Sequence, residues 1–85
     1  MIVTENLTLD GTWQEVTKEF DVHSMSLNID NVVRSFQFSS DSGGAEPKTI
    51  EKSDTLVINE FEKNIEQTYY VQGTNGDTLE IIKQR

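Results

Sequence analysis

Met25, Leu27 and Ile29 alternate with Ser24, Ser26 and Asn28. A period of two puts apolar residues on one side of an extended chain and polar ones on the other, which a helix cannot do. The alternation returns in short runs along the chain. Val3, Leu7 and Leu9 share a phase near the start, interrupted by Glu5. Arg34, Phe36 and Phe38 share one in the middle, and Leu56 and Ile58 share one later, with Val57 and Phe61 opposite. Composition agrees. Ala45 is the only alanine, whereas Val, Ile and Thr together number 23. Residues branched at Cβ are stiff at χ1 and suit a pleated surface.

Turn signals separate these runs. Asp10-Gly11, Asp30-Asn31 and Ser53-Asp54 mark turns, and residues 39–47 read as a loop. Residues 49–51 form a short strand in this reading. Residues 12–20 fit two patterns. Trp13, Val16 and Phe20 lie at helical spacing, while Val16, Lys18 and Phe20 alternate. Strand is the expectation, with a bulge near Gln14-Glu15, because β-branched residues recur and no capping box precedes the run. A helix there would make the chain α+β.

The last two runs, 65–72 and 78–83, read as a closing hairpin. A two-residue turn at Asn75-Gly76 would mix apolar and charged side chains on each face. A three-residue loop, Thr74-Asn75-Gly76, pairs Val71 with Leu79 and Tyr69 with Ile81 on one face, with Gly76 left-handed. A slip of one residue flips every side chain, so burial selects the second register. Seven or eight short strands in 85 residues predict an all-β fold. The expected form is a single small antiparallel β-sandwich or jelly-roll-like domain over residues 1–85. Its edges are expected at the first strand, where Glu5 breaks the apolar face, and at the last, which ends in Lys83 and Arg85.

Charge and length exclude several functions. The formal charge is -8, which argues against nucleic acid and against anionic lipid. No apolar run approaches the ~20 residues of a membrane span, and no charged-then-apolar leader opens the chain. There is no cysteine, so disulfides and thiolate metal sites are out. Val, Ile, Leu and Phe number 23 of 85, enough to fold but around a thin core.

Chemical motifs are sparse. His23 is the only histidine and reads as a surface or strand-bend residue. Nothing resembles a nucleophile elbow or a phosphate-cradling glycine loop, so the chain is expected not to be an enzyme and to hold no metal or cofactor. Asp41, Ser42 and Glu46 in one loop, and Asn75 with Asp77 in another, lack the spaced acidic series of an EF-hand and read as polar turns. Asn6-Leu7-Thr8 matches a glycosylation acceptor by coincidence of composition. Trp13, Tyr69 and Tyr70 carry polar handles on large apolar bodies. Tyr69 is expected to point inward and Tyr70 outward, which makes Tyr70 the first candidate for a partner contact, with Trp13 and Arg34 beside it. Residues 32–40 and 67–76 contain no acid and are where a partner would avoid like charge.

The order of features resembles small β-sandwich virion proteins of tailed bacteriophages. Asp10-Gly11-Thr12-Trp13 after the first strand, Phe36-Gln37-Phe38-Ser39-Ser40-Asp41 opening a polar loop, and the polar turn Glu51-Lys52-Ser53-Asp54-Thr55-Leu56 carry it. So do Tyr69-Tyr70-Val71-Gln72-Gly73 and Thr78-Leu79-Glu80-Ile81 at the end. Ser53-Asp54 stands where such proteins usually have Pro-Gly. The resemblance implies a structural virion component, assembled in a host cytoplasm, that decorates or cements a capsid or forms part of a head fibre or tail surface. Its partners would be capsid or tail subunits and its own copies, with trimers favoured. A small carbohydrate- or receptor-binding module is the alternative, and requires two exposed aromatics on one face.

Overall fold

The computed structural model describes residues 1–29, 35–51, 54–59 and 66–85. The fold is all-β. Among the described residues eight strands run in chain order: β1 (Ile2–Thr8), β2 (Gln14–Lys18), β3 (Ser24–Ile29), β4 (Phe36–Ser39), β5 (Lys48–Ile50), β6 (Thr55–Asn59), β7 (Gln67–Gly73) and β8 (Thr78–Gln84). They form two antiparallel four-stranded sheets, β1-β8-β3-β6 and β2-β7-β4-β5, the order of a jelly roll.

The pairing is nested. β1 pairs with β8, β2 with β7, β3 with β6 and β4 with β5. The chain is thus one long antiparallel ribbon, with the β4–β5 loop at its tip, wound so that alternate stretches fall into alternate sheets. Further ladders, β3 with β8 and β4 with β7, close the winding. Where the ribbon turns between sheets, its two strands stay zipped. The Leu9 N–H donates to the Asp77 carbonyl, and the Gly76 N–H to the Leu9 carbonyl, each at 2.8 Å.

Between the sheets lies the core. Met25, Leu27, Ile29, Leu79 and Ile81 project from one sheet, and Val16, Phe36, Ile50, Tyr69 and Val71 from the other. Leu7, Phe38, Leu56 and Ile58 pack at its margin. These are the period-two residues of the sequence, and β2 is a strand rather than a helix.

Four expectations need correction. β7 and β8 are not a hairpin: they lie in different sheets. Tyr69 and Val71 face Leu79 and Ile81 across the sandwich instead of beside them. Alternation specifies which face is buried and leaves the partner open. Gly76 does hold positive φ, at 95°, but in a tight turn closed by the Asp77 N–H on the Thr74 carbonyl at 3.1 Å. β8 is a central strand, not an edge. There is no bulge at Gln14-Glu15, because β2 pairs continuously with β7. Phe20, finally, lies beyond β2 and is exposed.

Candidate functional site

Trp13 is set in place by local hydrogen bonding. The Thr12 N–H and hydroxyl both donate to Asp10 Oδ1, at 2.9 and 2.6 Å. These bonds hold the Asp10 carboxyl below its ordinary range. Gln72 Nε2 donates to the Gly11 carbonyl at 2.9 Å and ties the same turn to β7. Trp13 is half-buried, and its indole lies on Gly44. A Cβ built on Gly44 would come within 2.3 Å of the ring.

Gly44 belongs to the loop at the ribbon tip. That loop folds back on the outer side of the β2-β7-β4-β5 sheet. Ser39 Oγ donates to the Ala45 carbonyl at 2.7 Å, and Asp41 Oδ2 accepts from the Gly43 N–H at 2.8 Å. Asp41 therefore serves its own loop. Tyr70 occupies the outer face of the same sheet, opposite Glu15 on one side and Ser39 on the other, and is half-buried. Continuing the alternation of β2 back to residue 13 puts Trp13 on that face as a diagonal neighbour. Tyr70 and Trp13 thus fall on the same side of this sheet, with the Trp13 ring against Gly44 of the tip loop; Arg34 lies outside the described residues.

A second grouping was not foreseen in the sequence. Lys83 is 3% exposed and its Nζ sits 3.0 Å from Glu5 Oε1 and 2.6 Å from Glu19 Oε1. Arg85 adds Nη2 at 3.0 Å from Glu19 Oε2 and Nε at 3.7 Å from Asp21 Oδ2. Burial opposes ionisation of Glu19, but the hydrogen bonds and charges of Lys83 and Arg85 outweigh it and hold its carboxyl below the usual glutamate range. A cleft of about 300 Å³ opens here between edge strands β1 and β2, over Leu7, Val16 and Ile81. At its far side Gln14 stitches the strands: Nε2 donates to the Thr8 carbonyl and Oε1 accepts from the Asp10 N–H, each at 3.1 Å. The sequence signal was Glu5 and Lys83, opposite charges both standing in inward phases of their strands.

The remaining broad surface is the outer face of β1-β8-β3-β6. Ladder pairing lines up Thr4, Ile82, Ser26 and Val57 across it, with Asn6, Glu80, Asn28 and Thr55 beside them. His23 is exposed just before β3. Among the described residues no three His, Asp or Glu side chains converge as metal ligands would, and no helix is long and apolar enough to cross a membrane.

No family model matches the chain. No curated protein matches it in sequence either. Its fold does occur among solved structures. A de novo designed double-stranded β-helix is 8% identical, with a TM-score of 0.60 over 100% of this chain and 99% of that one. A chain from Bacillus endospore appendages, described as a family of disulfide-linked pili, is 12% identical, with a TM-score of 0.50 over 98% of this chain and 83% of that one. Both likenesses bear on fold alone.

Proposed function

We propose that this chain is a non-enzymatic structural component of a bacteriophage virion, a capsid decoration protein that docks onto the capsid lattice. The observation that carries this reading is the placement of Tyr70 and Trp13 on one outer face, on or beside an acid-free central strand, with Glu15 the only charged residue of β2 or β7 on that side. Half-buried aromatics with polar tips are the usual anchors of protein interfaces. A tail-surface position would use the same face. The pilus neighbour shares the fold alone, but it is described as forming pili, so a chain of this fold can serve in an assembly of the kind proposed. Its disulfide linkage has no counterpart in these 85 residues, which contain no cysteine.

The test begins with the neighbouring reading frames, then uses co-sedimentation with capsids or tails made from them. The chain should sediment with one of these. Tyr70→Ala should weaken binding about tenfold or more while the fold survives. Failure of the unaltered chain to bind either particle refutes the proposal. The two aromatics also support the second reading, a glycan-stacking face. Saturable change of Trp13 emission on glycan titration, without particle binding, would favour it.

A further inference from the structure

The four strands of the β1-β8-β3-β6 sheet carry only three charged residues, in a chain where 26% of residues are charged. These are Glu5, Glu80 and Lys83. Glu5 and Lys83 turn inward onto each other at 3.0 Å. Glu80 alone faces out. These strands sum to -1, so -7 of the net charge of -8 resides elsewhere in the chain.

We infer that this outer face is a self-association surface, and that its occupant is the same face of a second copy. Charge favours this face first. A protein this acidic cannot appose two copies over most of its surface without bringing like charges together, and desolvated like charges are costly. Among the described residues of its four strands, this face sets only one outward carboxylate per chain, Glu80, in such a contact. The side chains it offers are otherwise short and uncharged, as at Ser26, or apolar. Ile2 is 66% exposed, Val57 is 55% exposed, and Ile82 lies between them.

Area sets how tight the contact is. The molecule measures 33 × 26 × 18 Å between Cα atoms, and this sheet is four strands of five to seven residues. At ~4.8 Å between strands and ~3.3 Å per residue, such a face is smaller than the ~800 Å² per partner of an ordinary stable interface. The contact is therefore reversible and concentration-dependent. Packing like face on like face is isologous and closes at two copies. The opposite sheet is less suited to this, because the tip loop with Asp41 and Glu46 overlies part of it. Self-association thus goes beyond lattice docking and uses the other side of the molecule.

Sedimentation equilibrium on the full chain tests this. A monomer–dimer equilibrium is expected, tightening as salt rises from about 0.05 to 0.5 M because screening relieves the residual repulsion. Ser26→Glu, at the centre of the face, should weaken it about tenfold or more. Thr17→Glu adds the same charge to the opposite sheet and should leave it unchanged, as should Tyr70→Ala. Circular dichroism identical to the unaltered chain shows that each variant is folded. A monomer at millimolar concentration in high salt overturns the inference. So does any oligomer that Ser26→Glu leaves intact. Loss of particle binding with an intact dimer would count against the docking proposal alone.

Discussion

Gly44 and Gly76 both hold positive φ, at 75° and 95°, yet they differ in what surrounds them. Nothing lies within 4 Å of a Cβ placed on Gly76, whereas one on Gly44 would strike the Trp13 indole. Gly76→Ala should therefore cost only the backbone penalty, about 1 kcal/mol. Gly44→Ala adds overpacking against a ring clamped by the Asp10–Thr12 turn, and should cost about 3 kcal/mol. Urea unfolding of both variants checks the order, and only Gly44→Ala should shift the emission of Trp13. Glu19 gives a second prediction at this scale. Its folded carboxyl is held below the ordinary value of 4.5. A lowered carboxylate contributes stability that is full above the unfolded value and lost as pH falls through the folded one. Glu19→Gln should thus cost about 1 kcal/mol at neutral pH and progressively less below the ordinary glutamate range. If the variant and the unaltered chain lose stability in parallel down to pH 3, Glu19 is not coupled to folding as described.

At the scale of elements, the period of two was enough to find the strands, including β2, where Val16 and Lys18 are buried and Glu15 is exposed. It was not enough to pair them. Ile2 lies beside Gln84 and Gln14 beside Val71, partnerships that no local pattern reveals. Asn75-Gly76 was legible as a turn, but a turn between sheets and a turn within one use the same dipeptide. The ion cluster was hidden for a related reason. A lysine in an inward phase reads as an edge or an error until the glutamates that meet it are known, and Glu19 lies far from Lys83 in sequence. Of the candidate site, Tyr70 and Trp13 were legible as amphipathic aromatics, and their shared face was not. The nested ribbon also ranks the strands. β8 and β7 each have neighbours on both sides, while β5 is three residues long with one partner, β4. Amide hydrogen exchange should be slowest in β7 and β8 and fastest in β5. Strong protection of β5 with rapid exchange in β7 or β8 would contradict the strand order.

For the whole molecule, salt acts on two opposed quantities, and their sizes decide the outcome. Screening weakens the Lys83–Glu5–Glu19–Arg85 cluster, which favours the folded state. It also weakens the mutual repulsion of a chain at -8, which opposes compaction. The cluster is the better shielded of the two. Lys83 is 3% exposed and its contacts are at 3.0 Å or less, well inside the ~8 Å screening length at physiological salt. The repulsion, by contrast, acts between exposed carboxylates spread over a surface tens of ångströms across, where screening removes most of it. Salt should therefore stabilise the fold on balance. Raising sodium chloride from about 0.02 to 0.5 M should lift Tm by about 5 °C, the shift that ~1 kcal/mol produces in a domain of this size. Dimerisation would add to the rise and make it grow with protein concentration. Scanning calorimetry of Ser26→Glu separates the two contributions. The concentration-dependent part should vanish in that variant and the remainder persist. A Tm that falls with salt would mean that the ion cluster, rather than the net charge, governs the electrostatics of this fold.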